Sequence, residues 1–301
     1  MPTDHFDLPF ERSVQGESGA WYRTVQRLGV GGSAATFLVV ATSGRAKGCF
    51  FAMKVFRRQS KPERRDPFLK EIDFLKQHRH PLVMAVFDEG TYYDHPFVVA
   101  EYLPQTLLQF IRANSATTAE KLSYSLQIVS ALAFLETLQP PVIHRDIKPQ
   151  NIFIKGRSCI LGDFGLMKLQ HASPEEDLPS FKQSVGVGMP YRYRTPELVE
   201  YLIDGTPPTT KSDLFQLGLV LAELFTGKNP QIAAESFKER IQMKPIGVIR
   251  GALGRGISNL IANMLELNPN DREPPAKLLD AWQGLFFTAA KRTLALEGAV
   301  F

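Results

Sequence analysis

The 301-residue chain reads as an α+β protein in two unequal halves. A smaller half of antiparallel strands with one helix comes first, and a larger, mainly helical half follows. Three observations carry this. Up to about residue 103 the apolar residues come in short, β-type runs separated by Gly, Pro and polar turns. From about Gln105 their spacing becomes helical. Between two helical stretches lies V-I-H-R-D-I-K-P-Q-N-I-F-I (142–154), which reads as strand, polar loop, strand. With 44% hydrophobic and 22% charged residues the composition is that of an ordinary globular protein with a sizeable core. Thirty-five basic and 31 acidic residues leave a net charge of only +4, so nucleic-acid binding is not expected.

Residues 1–19 hold Pro, Ser, Gly and charges without periodicity and read as a flexible or loosely docked leader. Their polar, acidic character argues against a signal peptide. No apolar run has the length of a membrane span, and the longest helical one, 214–225, carries Glu223. A soluble cytoplasmic protein is expected. Cys49 and Cys159 lie in apolar strand-like runs, as buried free thiols do. W-Y-R-T-V-Q-R-L then leads through G-V-G-G-S-A-A into T-F-L-V-V: strand, Gly-rich turn, strand. Glycines let backbone N–H groups approach a phosphate, although many such hairpins bind nothing. C-F-F-A-M-K-V-F (49–56) sets Lys54 in an apolar strand, where it needs either a partner or a solvent edge. After a basic loop, D-P-F-L-K-E-I-D-F-L-K-Q-H reads as a helix, with Asp66 as N-cap and Pro67 in the first turn. Phe68, Ile72 and Leu75 form its apolar face, and Glu71 sits beside that face.

Two further strands, V-M-A-V-F-D-E-G and P-F-V-V-A-E-Y-L-P, are joined by a turn at 92–95. L-L-Q-F-I and the long A-E-K-L-S-Y-S-L-Q-I-V-S-A-L-A-F-L are helical, the second central to its half. Pro140-Pro141 terminates it. K-S-D-L-F-Q-L-G-L-V-L-A-E-L-F-T-G is another core helix. L-I-A-N-M-L-E-L-N-P ends a helix at Asn268-Pro269, and the tail from Ala281 is apolar enough to dock.

Arg145, Asp146, Lys148 and Asn151 crowd into one loop, and such groups are costly to bury unpaired, so the loop marks a site. C-I-L-G-D-F-G-L (159–166) then runs a strand into Asp-Phe-Gly. H-R-D-x-K-P-x-N followed by D-F-G resembles the catalytic and metal-binding loops of the eukaryotic-type (Hanks-type) serine/threonine protein kinases. The resemblance extends over about 21–286. It implies the bilobal protein-kinase fold over 20–290, with a small lobe at 20–103, a large lobe at 104–290 and a tail at 291–301. It also implies ATP and Mg²⁺ (or Mn²⁺) between the lobes and a protein substrate. No membrane segment is expected, and a regulatory partner is left unspecified. The compact chain, without extra modules, resembles a stand-alone kinase such as the bacterial members of this type.

By the same resemblance Asp146 accepts or orients the substrate hydroxyl, and Lys148 stabilises the transferring phosphoryl group. Asn151 and Asp163 are the metal ligands. Lys54 holds the α- and β-phosphates and pairs with Glu71. Leu28, Gly29, Gly31, Gly32, Thr36, Ala52, Ala100, Glu101, Leu103 and Phe153 line the nucleotide site. The Gly-rich turn departs from the family pattern, with Ala34 for the third Gly and Thr36 for Val. Ala100 at the gatekeeper position leaves a deeper back pocket, so bulky adenine analogues are expected to enter. Residues 163–197 resemble an activation segment, polar and aperiodic like a mobile loop. Ser173, Ser180 and Ser184 are candidate phosphosites there, and Arg145 is a candidate receptor for a phosphate. Met189 stands where the family has a substrate-facing Thr, while Arg192 and Arg194 add positive charge. Asp213 resembles the Asp that holds the catalytic loop's backbone, and Arg272 the buried partner of Glu197. Two rivals accompany this reading: a nucleotide-binding pseudokinase scaffold and a small-molecule phosphotransferase of kinase-like fold.

Overall fold

Alternation of side chains folds the first part of the chain into a sheet. The computed structural model describes residues 8, 10, 12–31, 33–57, 65–170, 174–184 and 191–296. They form two compact units, Met1–Pro104 and Gln105–Phe301. In the first, β1 (Ser13–Gln15), β2 (Trp21–Val30), β3 (Ala34–Ala41), β4 (Phe50–Phe56), β5 (Val86–Tyr92) and β6 (His95–Glu101) make an antiparallel sheet in the order β1-β2-β3-β4-β6-β5. Phe37, Val39, Met53, Val55, Phe97 and Val99 turn to one face and are buried together with Leu8, Val14 and Tyr22. The period of two then puts Thr36, Leu38, Ala52, Lys54 and Ala100 on the opposite face, each half-buried. Helix α1 (Arg65–Gln77) buries Phe68 and Ile72 against Phe56 and Val98 of that second face.

Three expectations are corrected in this unit. Residues 13–15, assigned to a flexible leader, form an edge strand, because Val14 alternates into the core between exposed Ser13 and Gln15. Cys49 is exposed, since it precedes β4 rather than sitting within it. Asp66 lies inside the first turn of α1, not at its cap, where a carboxylate still complements the helix dipole.

The second unit starts with β7 (Gln105–Thr106), α2 (Leu107–Ala113) and α3 (Thr118–Thr137). Thr106 with Gln109, and Thr117 with Glu120, close reciprocal capping boxes at the two helix starts. Four short strands follow: β8 (Val142–Ile143), β9 (Ile152–Lys155), β10 (Ser158–Leu161) and β11 (Lys168–Leu169). β9 lies between β10 and β7, and β11 pairs with β8. Then come α4 (Pro174–Ser184), α5 (Pro196–Asp204), α6 (Lys211–Thr226), α7 (Gly254–Met264) and α8 (Pro275–Leu296). Every residue of α6 from Ser212 to Ala222 is buried, so α6 is the core post of this unit. Trp282 of α8, fully buried, stacks on Phe225 with ring centroids 6.3 Å apart. Among the described residues no helix is long and apolar enough to cross a membrane.

Two expectations change here. The activation segment is not a plain loop: residues 174–184 are helical, with Pro174 at the first position. The apolar pair Leu178 and Phe181 gives that helix a docking side, and buried Phe181 packs with Leu198, Tyr201, Leu202 and Phe237. The helix expected to end at Asn268 stops at Met264, and Asn268 instead caps a 3₁₀ turn, Pro269–Asp271.

Candidate active site

In the first unit the strand register collects the expected nucleotide-site residues on one face. Thr36 faces Lys54 across β3 and β4, and Ala52 faces Ala100 across β4 and β6. The Lys54 ammonium donates to both Glu71 oxygens at 2.8 Å each and lies 5.8 Å from the centroid of the Phe68 ring. Glu71 is buried, as a paired carboxylate can be. The Gly-rich turn connects β2 to β3, with a register shift between Arg27 and Gly29 and a bond from Gly31 N–H to Ala34 C=O. No described atom lies within 4 Å of where a Cβ on Gly29 would stand. Packing among the described residues therefore does not demand the glycine. Leu28 is exposed on β2, and Glu101 and Leu103 are half-buried at and beyond the end of β6. Gly32 lies outside the described residues, as do Ser173 and Met189. The side chains of Ser180 and Ser184 are likewise outside the description, although both residues lie in α4.

In the second unit the loop between β8 and β9 is buried and almost fully hydrogen-bonded. Asp146 Oδ2 accepts from Lys148 Nζ at 2.8 Å and from Asn151 Nδ2 at 2.8 Å. Asn151 Nδ2 also donates to the Asp146 carbonyl at 3.0 Å. The other carboxylate oxygen, Asp146 Oδ1, is buried without a hydrogen-bond partner among the described residues. Burial pushes the Asp146 carboxyl up to about 7, against the pull of Lys148 and with the help of the Asp163 charge. Leaving a buried oxygen unpaired costs about 1–3 kcal/mol, so this atom is a candidate contact for a substrate donor.

The D-F-G stretch is tied to this loop. Gly162 N–H donates to Asn151 C=O at 2.9 Å, and a His144 ring nitrogen bonds Gly162 C=O at 3.1 Å. The His144 ring also meets the Phe164 ring edge-on at 4.5 Å. Arg145 (φ 65°) and Asp163 (φ 59°) both hold left-handed backbone, which costs a non-glycine residue about 1–3 kcal/mol and persists only where the surroundings dictate it. For Arg145 the surroundings are visible. Asp213 accepts from the His144 and Arg145 N–H groups at 2.7 and 2.8 Å. Burial raises the Asp213 carboxyl to about 7, opposed by those two N–H bonds. Gln216 donates to the Arg145 carbonyl at 3.0 Å and accepts from Ile147 N–H at 2.8 Å.

The metal expectation fits the donor chemistry. The Asp163 carboxylate and the Asn151 carbonyl are hard oxygen donors on two bonded loops, and Asp163 is exposed. No group of three His, Cys, Asp or Glu that could hold a metal occurs among the described residues. Two protein oxygens suit Mg²⁺, which keeps waters and binds through substrate phosphates, rather than an all-protein cage. Phe153, half-buried on β9, pairs with Ile160 and Thr106.

Downstream, Arg272 grips Glu197 in two bonds of 2.5 and 3.1 Å, both residues buried. Arg194, expected to add surface charge, is buried and donates to the carbonyls of Ser236, Phe237 and Glu239, so only Arg192 remains exposed. Arg145, expected to await a phosphate, instead binds Asp177 of α4. Sequence reasoning passed over Gln216, Lys168 and Asp177. Gln216 had a signal, a lone amide in the apolar run L-F-Q-L-G-L three residues after Asp213; Asp177 had none beyond its charge.

The family model for the protein kinase domain matches residues 22–282 of this chain. The chain belongs to the protein kinase family. The serine/threonine-protein kinase mos of Patiria pectinifera is 29% identical over 282 residues, covering 90% of this chain and 73% of that protein. A calmodulin-binding receptor-like cytoplasmic kinase of Arabidopsis thaliana is 29% identical over 228 residues, 72% of this chain and 53% of that protein. A probable serine/threonine-protein kinase of Clostridium perfringens is 28% identical over 271 residues, 86% of this chain but only 37% of that protein.

Proposed function

We propose that the chain transfers the γ-phosphoryl group of Mg-ATP to Ser and Thr hydroxyls of protein substrates, itself included. The observation that carries this is the state of Asp146. One carboxylate oxygen is fixed by Lys148 and Asn151, and the other is buried and unpaired. That second oxygen suits a substrate hydroxyl, orienting it and taking up its proton. A positioned base of this kind contributes about 10²–10⁴-fold. Lys148, bonded to the same carboxylate, puts a positive charge beside the point of transfer. Asn151 and Asp163 would hold Mg²⁺, which when bound neutralises charge on the phosphate oxygens. Lys54, oriented by Glu71, would take the α- and β-phosphates, and the half-buried Ala52–Ala100 pair would take the adenine. The Glu101 carbonyl and the Leu103 N–H would bond the adenine edge.

The test is transfer of labelled γ-phosphate from Mg-ATP to the protein and to a generic basic protein. The expected label is on Ser or Thr and is absent with Asp146→Asn. An ATP-induced thermal shift without transfer would instead favour a nucleotide-binding scaffold.

A further inference from the structure

Arg145 precedes the proposed base, and its guanidinium is almost completely enclosed. Its Nη1 and Nη2 donate to the two Asp177 oxygens at 2.6 and 2.9 Å. Its Nε donates to Leu166 C=O at 2.5 Å, and Nη2 also donates to Met167 C=O at 3.3 Å. Its face lies 4.7 Å from the centroid of the Phe181 ring, one turn along α4 from Asp177. Lys168, also buried, has its ammonium 3.6 Å from Asp177 Oδ2, and the Tyr201 hydroxyl donates to the same oxygen at 2.7 Å. Two buried cations side by side repel one another and need an anion. Asp177 supplies that anion from within the chain. The Arg145, Lys168 and Tyr201 bonds draw its carboxyl below the ordinary value despite its burial.

We infer that Asp177 is a positioning residue for phosphoryl transfer. Its carboxylate neutralises the Arg145–Lys168 pocket and, through Arg145, fixes the strained backbone on which Asp146 stands. Asp213 and Gln216 hold the main chain of Arg145 from one side. Asp177 holds its side chain from the other, together with the carbonyls of Leu166 and Met167 in the turn after D-F-G. The activation segment therefore carries its own permanent anion, and the catalytic loop is set without a phosphate on the segment. This rests on the reading of Asp146 as the group that positions the substrate hydroxyl.

The experiment compares wild type, Asp177→Asn, Asp177→Ala and Asp177→Glu in transfer from Mg-ATP, each after phosphatase treatment. Dephosphorylated wild type should keep its kcat. Asp177→Asn and Asp177→Ala should lose about 10- to 100-fold in kcat, the scale of a sub-ångström to ångström displacement of a catalytic group. Their KM for ATP should stay within about twofold. Added inorganic phosphate should restore part of the Asp177→Ala rate by entering the vacated pocket, and Asp177→Glu should retain more activity than Asp177→Asn. A merely structural aspartate would not give the anion rescue. Equal or higher activity in Asp177→Asn would overturn the assignment and leave the kinase reading standing, as would loss of wild-type activity on dephosphorylation. No transfer by the wild type, treated or untreated, would overturn the kinase reading and this inference with it.

Discussion

Arg272 and Arg145 are near twins in geometry and differ in what they hold. Each is buried and bidentate to one carboxylate, Glu197 for the first and Asp177 for the second. Each lies under an aromatic ring, Phe215 at 4.9 Å and Phe181 at 4.7 Å. Arg272 spends its remaining donors on the carbonyls of Lys211, Glu266 and Leu267, far in sequence from the reactive loop. Its partner side chain is only 8% exposed and sits on α5, whose start is capped by Thr195. Asp177 is 17% exposed and sits on a helix with an internal Pro179, which removes one helical bond. The same ion pair thus serves as a rivet in one place and as a set-screw in the other. The first ties the fold together, and the second bears on the residue next to Asp146.

Four substitutions can break or sharpen this contrast. Glu197→Ala strands the Arg272 charge in the core. It should cost about 3–5 kcal/mol of stability, read by urea unfolding, with activity lost only through unfolding. Asp177→Asn removes charge-assisted bonds at a more open position. It should cost about 1.5–3 kcal/mol in the same assay, while its loss of kcat exceeds what the folded fraction explains. Gln216→Met removes the amide that bonds Arg145 C=O, Tyr193 C=O and Ile147 N–H; about 1–3 kcal/mol should go, with a drop in kcat. Ala100→Met should leave stability and ATP turnover nearly unchanged. It should abolish inhibition by adenine analogues with bulky substituents, which ought to inhibit the wild type; equal inhibition of both proteins would remove the gatekeeper reading.

The contrast also explains what could be read in advance. Glu197 and Arg272 lie in stretches whose residue types and order carry a recognisable pattern, and so do Lys54 and Glu71, Asp146 to Asn151, and Asp163. Asp213 belongs to the same class. The strand and helix periods gave the sheet and α1, α3 and α6, because in each the apolar spacing agrees with the local backbone. The failures share a cause. Residues 174–184 open with Pro174 and three acids, a helix-start pattern, but Pro179, two serines and only two apolar residues leave the helical period weak. α4 exists because Phe181 finds the Tyr201–Phe237 cluster and Asp177 finds Arg145. The edge strand 13–15 depends on pairing with β2 rather than on its own three residues. Arg194 could not be distinguished from Arg192 because only tertiary packing turns it inward toward the carbonyls of 236–239.

The most direct measurement is single-turnover transfer of labelled γ-phosphate from Mg-ATP, followed by phosphoamino-acid analysis, for wild type and Asp146→Asn. The serine/threonine-kinase reading predicts label on Ser or Thr in the wild type, and the role given to the Asp146 oxygen predicts a rate lower by about 10²-fold or more in the variant. Label on Tyr, or a variant as fast as the wild type, would contradict it.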